Sequence, residues 1–387
     1  MPAGSTGSTI ATGAAGIAVA GSGHDAGTQN MTPLSPDLNA QAVLNGSCAT
    51  STVQSQLLPA NILFVLDRSG SMACNPPPTT DSAACEAQPM RANASMPSKW
   101  EATTAALLRA IKQLPASASV GLSYISNDDA CGVNATPSVV ILPNSKAQQD
   151  TIDKSMMSIT PGGGTPIVGA TILAYKHMHE LALAGKIFGN EFIVLITDGA
   201  QSTMCANPPT CADAASCVDL LLNQEVPKAA SHGVGIRTFV IGVPGSEPAR
   251  GVLSQIAKQG GTAKADCDPR QGNCHFDMTM VSDLGAALGQ ALTAISGQAI
   301  GCELDLPQPT SGMLDPKLVN VVYTPSDGSG PRVLPQDARA ACNMGANGWQ
   351  YAENNQKIKL CGPTCDIVRA DASARVDVVL GCPVLLQ

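Results

Sequence analysis

Two continuous apolar runs stand out along the chain. Ile62 to Leu66 lies between Asn61 and Asp67, and Phe192 to Ile196 lies between Glu191 and the pair Thr197–Asp198. Apolar runs of this length closed by polar groups read as strands buried on both faces. Elsewhere the apolar residues recur at helical spacing. Trp100, Leu107, Leu108, Ile111 and Leu114 follow Ser98, a residue suited to cap a helix. The pattern predicts strands at 60–67, 119–126, 138–142, 191–197 and 235–242, with a short one inside 262–276. Helices are predicted at 98–114, 146–157, 166–184, 219–232, 247–259 and 281–300. Strands alternating with helices imply an α/β fold, a doubly wound and mostly parallel sheet with helices on both faces. Ligands of such sheets bind outside the carboxyl ends of the strands. Asp67 and Asp198 each end a strand, so they are expected on one rim.

The pattern fails at both ends of the chain. Residues 1–47 are rich in Gly, Ser, Ala and Thr without periodicity and read as a flexible tether. After residue 302 short strand patterns at 319–323, 332–334, 349–351, 357–360 and 375–380 alternate with Gly, Pro and Asp turns, and 361–370 suits a short helix. This divides the chain into a tether (1–47), an α/β domain (48–302) and a small β-rich module with cysteines (303–387).

Composition narrows the function. Aromatic residues are only 3%, so the core must be aliphatic. Charged residues are 13%, about half the usual share, and the net charge is -8. No basic patch supports nucleic-acid binding. No stretch approaches the ~20 apolar residues of a membrane span. Fourteen cysteines, many in predicted loops and without zinc-knuckle pairs, point to disulfides in an oxidising space. That implies a secreted or cell-surface protein. The start lacks the charged and apolar regions of an export signal, so a signal sequence upstream of Met1 is expected.

Three separated pieces carry the chemistry. Asp67-Arg-Ser69-Gly-Ser71 puts a carboxylate and two hydroxyls on one turn, Thr165 ends the glycine-rich loop Pro161-Gly-Gly-Gly-Thr-Pro166, and Asp198 stands in Thr-Asp-Gly. Such oxygen donors suit a hard divalent cation. Together they resemble the von Willebrand factor A domain with its metal-ion-dependent adhesion site, over residues 57–300 and at all five positions of that motif. The layout also resembles secreted or lipoprotein members of that family in Gram-negative bacteria. The resemblance implies that Asp67, Ser69, Ser71, Thr165 and Asp198 hold Mg²⁺, with Mn²⁺ or Ca²⁺ as alternatives. It further implies that an Asp or Glu side chain of a protein partner completes the metal's shell. The expected function is an extracytoplasmic, metal-dependent binding or adhesion module. The alternative is a structural or assembly component of the cell envelope whose metal only stabilises the fold.

Rival signals are weaker. Gly162-Gly-Gly164 lacks the Lys-Ser/Thr ending of a phosphate loop. His177 and His179 are two apart on a predicted helix and do not share a face. Ser69 and Ser71 would need a neighbouring base to act as nucleophiles, and no histidine falls in a loop assigned to the rim, so no enzyme is expected. Relative to the family pattern, the chain has a cysteine-bearing insertion after Met72 and a second cysteine-bearing loop after Asp198. Local disulfides bracing the rim are expected, with Cys74–Cys85 and Cys267–Cys274 as short loops. Domain termini often lie close together, which makes Cys48–Cys302 the expected staple.

Overall fold

The computed structural model describes residues 40–44, 51–55, 59–128, 130–231, 235–264, 266–299, 302–306, 315–337, 348–352, 355, 357–371 and 374–381. In chain order these form α1 (Ala40–Leu44), β1 (Ser51–Ser55), β2 (Ala60–Leu66), α2 (Ser82–Ala87), α3 (Lys99–Gln113), β3 (Ser119–Tyr124), β4 (Val139–Pro143), α4 (Lys146–Met157), α5 (Ile167–Leu183) and β5 (Asn190–Thr197). There follow α6 (Ala214–Leu220), a π turn (Leu221–Glu225), α7 (Val226–Ser231), β6 (Arg237–Gly242), α8 (Arg250–Gln259), β7 (Phe276–Asp277) and α9 (Leu284–Ala299). The last part holds β8 (Glu303–Asp305), β9 (Val319–Thr324), β10 (Arg332–Leu334), β11 (Gly348–Ala352), β12 (Lys357–Cys361), α10 (Gly362–Ala370) and β13 (Arg375–Leu380).

Successive side chains of a strand point to opposite faces, and a strand apolar at every position therefore feeds two cores. Strand β2 does this from Ile62 to Leu66. Ile62, Phe64 and Leu66 join one core, while Leu63 and Val65 join the other. Strand β5 splits likewise, with Phe192, Val194 and Ile196 on the first side and Ile193 and Leu195 on the second. Residues of α3, α4 and α9 cover the first face; residues of α5, α7 and α8 cover the second. The sheet runs β4-β3-β2-β5-β6-β7, parallel except for the antiparallel edge strand β4. Doubly wound α/β architecture is thus what the apolar periodicity specifies.

Register then places the rim. Leu66 lies opposite both Tyr124 and Ile196. The Asp67 N–H donates to the Ile196 carbonyl at 2.9 Å, which sets Asp67 beside Thr197 and Asp198. Helix α3 is anchored at its start by a capping box: Ser98 Oγ accepts from the Glu101 N–H, and the Glu101 carboxylate accepts from the Ser98 N–H. Such a cap stabilises a helix by about 1 kcal/mol.

Two predicted elements differ. The helix predicted at 219–232 starts earlier, at Ala214, and is interrupted by the π turn. Pro227 has no N–H to give the preceding turn, and the wider turn sits directly before it. The tether reading also needs correction over Ala40–Leu44. Ala40 is buried and packs with Val322, Val333 and Val379. Strand β1 pairs antiparallel with β13, in a sheet ordered β1-β13-β9-β10. Chain from before the first core strand therefore completes the C-terminal sheet. A second small sheet, β11-β12-β8, is also antiparallel. Among the described residues no helix is long and apolar enough to cross a membrane.

Candidate metal centre at the carboxyl rim

Asp67 is fully buried at the end of β2. Its Oδ1 accepts from the Ser69 N–H at 2.8 Å and its Oδ2 from Thr197 Oγ1 at 2.6 Å. Burial pushes its carboxyl up to about 6, the charge of Asp198 adds to this, and the Thr197 and Ser69 hydrogen bonds oppose it. The chain then turns through a short 3₁₀ segment, Gly70–Ala73, which brings both serines onto Asp198. Ser71 Oγ donates to Asp198 Oδ1 at 2.8 Å, Ser69 Oγ reaches the same oxygen at 3.4 Å, and the two hydroxyls are 3.1 Å apart.

Thr165 arrives by a different route. The glycine loop is stitched to the first turn by Gly70 N–H to the Gly163 carbonyl, at 3.1 Å, and by Gly162 N–H to the Arg68 carbonyl, at 2.8 Å. The Thr165 N–H donates to Ser202 Oγ at 2.8 Å. Thr165 is buried, with its hydroxyl 3.5 Å from where a Cβ on Gly199 would sit. The structure therefore joins Asp67, Ser69, Ser71 and Asp198 in one hydrogen-bonded cluster and sets Thr165 against the residue next to Asp198.

One member of this cluster is absent from the sequence reading. Lys99, the first residue of α3, is buried, and its ammonium contacts Asp198 Oδ2 and donates to the Pro244 carbonyl at 2.8 Å. Gly245 allows the approach: at φ +115°, a Cβ there would lie 2.6 Å from the Asp198 carbonyl oxygen and 3.2 Å from the Lys99 ammonium. Thr197 and Ser202 were also missed. Lys99 carried only a faint signal: a lysine in the first turn opposes the helix dipole, but a solvated one does so at small cost.

The donor set fits a hard cation. Two carboxylates and the serine hydroxyls converge, with Thr165 alongside, and oxygen is what Mg²⁺, Mn²⁺ or Ca²⁺ prefer. Among the described residues no group of three or more His, Cys, Asp or Glu side chains comes together.

Two disulfides flank the rim. Cys74–Cys85 closes the insertion, and Cys85 Sγ lies 3.2 Å from the Ser71 carbonyl oxygen. Cys131–Cys205 ties the loop after β3 to the loop after Asp198, and a Cβ on Gly164 would meet Cys205 Sγ at 2.9 Å. Cys211–Cys217 and Cys267–Cys274 close two short loops. The expected Cys48–Cys302 staple is corrected: Cys302 is bonded to Cys365, and Cys48 lies outside the described residues. Cys302 opens β8, which pairs with β12, and Cys365 lies in the helix that follows β12. The chain leaving α9 is therefore held by the C-terminal region.

The histidines split. His177 and His179 lie on α5, away from the cluster. His275 is buried beneath the loop after β6, closer to the rim than the sequence implied. Its Nδ1 is 2.7 Å from Ser254 Oγ, and a Cβ on Gly242 would meet both its Nε2 and Ser246 Oγ. Burial pulls its ring down to about 4.

No protein-family model matches the sequence, and no curated protein matches it. Among solved structures, the pilus adhesin SpaC from Lactobacillus rhamnosus GG aligns over 84% of this chain at TM-score 0.42 and 14% identity. This chain spans 40% of that adhesin's length. The PilB minor pilin from Streptococcus sanguinis aligns over 63% of this chain and 62% of its own, at TM-score 0.41 and 18% identity. A von Willebrand factor type A protein from Catenulispora acidiphila aligns over 87% and 67%, at TM-score 0.38 and 14% identity.

Proposed function

We propose that this chain is an extracytoplasmic protein-binding module that works through a divalent cation, preferably Mg²⁺. Asp67, Ser69, Ser71, Thr165 and Asp198 would hold the ion, and a carboxylate from a protein partner would complete its shell. One observation carries this reading. On the rim where sheets of this kind bind ligands, the Ser69 and Ser71 hydroxyls reach the Asp198 carboxylate while the Asp67 carboxylate accepts from the Ser69 N–H. Five disulfides among the described residues support an oxidising compartment. Ser69 and Ser71 bond to each other and to Asp198, an arrangement that suits their hydroxyls to serve as oxygen donors.

The test is capture of partners from cell-surface extracts by the immobilised chain, with and without EDTA. Capture that needs Mg²⁺ and is lost in Asp198→Ala is the expected result. Capture indifferent to EDTA would overturn the metal-dependent reading. A melting temperature that collapses in EDTA without any metal-dependent capture would instead favour the structural envelope component.

A further inference from the structure

Lys99 has no reason to be buried on its own account. A lysine is rarely fully buried without a partner, and the start of a helix repels a cation. Yet Lys99 is 2% exposed, and its ammonium sits on Asp198 Oδ2 and the Pro244 carbonyl. The capping box at Ser98 fixes where α3 begins, and the Lys99 N–H donates to the Cys74 carbonyl at 2.7 Å. Backbone and side chain are thus both held in place. The serines approach Oδ1 of Asp198, so the carboxylate is gripped at both oxygens.

We propose that Lys99 is a positioning residue and a built-in counter-cation that makes the metal at this rim exchangeable and the loaded rim receptive to an anion. The inference rests on the metal-site reading above. Formal charge shows the logic. Asp67 and Asp198 bring two negative charges and Lys99 one positive. Without metal the rim carries a single net negative charge, and the carboxylates are not left to repel one another alone. With a divalent cation the same rim carries a single net positive charge, which an incoming carboxylate neutralises. If Lys99 were neutral, the loaded rim would have no net charge to attract that carboxylate, and the metal-free rim would be doubly negative. Lys99 therefore weakens metal binding and strengthens binding of an acidic partner. Arg68 does not substitute for it, because its guanidinium Nη2 donates to the Thr160 carbonyl, 3.0 Å away in the glycine-loop segment.

The experiment uses the full chain and Mn²⁺ as a spectroscopic probe of the site, followed by electron paramagnetic resonance, with glutarate as a carboxylate probe. Lys99→Met should bind Mn²⁺ about tenfold more tightly than wild type, in keeping with removal of a unit charge at close range. Glutarate should then tighten Mn²⁺ binding in wild type and lose that effect in the variant. The melting temperature in EDTA should fall, and the rise on adding Mn²⁺ should exceed that of wild type. Lys99→Gln keeps a donor for the Pro244 carbonyl and serves as the second variant if Lys99→Met folds only with metal, itself an expected result. Unchanged or weaker Mn²⁺ affinity in Lys99→Gln would overturn the proposal. A wild type with no saturable Mn²⁺ binding would instead overturn the metal-site reading, so the two failures are separable.

Discussion

Strand β5 carries a buried carboxylate near each end, and the two are treated differently. At the amino end Glu191 is 2% exposed, and its Oε2 has no hydrogen-bond partner among the described residues. Burial pushes its carboxyl up to about 7, opposed by the charges of Lys357 and Arg237. Just past the carboxyl end, Asp198 receives two serine hydroxyls on one oxygen and the Lys99 ammonium on the other. Burial is common to both, so burial alone does not mark a site. What distinguishes the rim is convergence: side chains from the turn after β2 and from the start of α3 aim at one carboxylate. An unsatisfied buried acid lowers stability, whereas a saturated one fixes geometry.

Breaking the saturated end should have the largest effect. Asp198→Ala leaves the Lys99 ammonium buried without its carboxylate, and loss of one partner from a buried pair costs about 3 to 5 kcal/mol. Urea unfolding of the metal-free protein measures it. A loss below about 1 kcal/mol would show that the rim is not the tight cluster described here.

The amino end should respond in the opposite direction. The folded-state value for Glu191 lies above the unfolded value of 4.5. The folded chain therefore binds the proton more tightly, and its stability falls as pH rises from about 4.5 to about 7. Glu191→Gln removes that slope. It should stabilise the protein by about 2 kcal/mol at pH 8, a figure reduced for solvent screening, and the gain should vanish near pH 4. Chemical denaturation at both pH values checks the sign, and a variant less stable than wild type at pH 8 would reverse the comparison.

A smaller effect tests how α3 delivers Lys99. Ser98→Ala removes the side-chain half of the capping box and should cost about 1 kcal/mol. Because Lys99 is the next residue, the loss should be larger in EDTA than in Mg²⁺. Equal losses would mean that the helix start and the rim are uncoupled.

Most of the central sheet was legible because β2 and β5 carry unbroken apolar runs, Ile62 to Leu66 and Phe192 to Ile196, a pattern that suits a strand between two cores. Asp67 and Asp198 were legible for the same reason, since a carboxylate ending such a strand has to lie on the rim. Lys99 was not. Its sequence position reads as a solvated helix start, and only the fold brings Asp198 and Pro244 to it. The Cys302–Cys365 bond was hidden by the pairing of β8 with β12, a long-range register that no local pattern encodes. For β1 the obstacle was composition: Ser51-Thr-Val-Gln-Ser55 has one apolar residue, and its strand character comes from the β13 backbone beside it. The π turn before Pro227 was masked by an apolar pattern that continues through it.

Calorimetric titration of Mg²⁺ into the full, metal-stripped chain tests the central claim most directly, with Ser69→Ala and Asp67→Asn measured beside it. The account predicts one saturable site per chain in wild type, weakened at least tenfold in both variants. Absence of saturable binding, or affinity unchanged by the two substitutions, would contradict it.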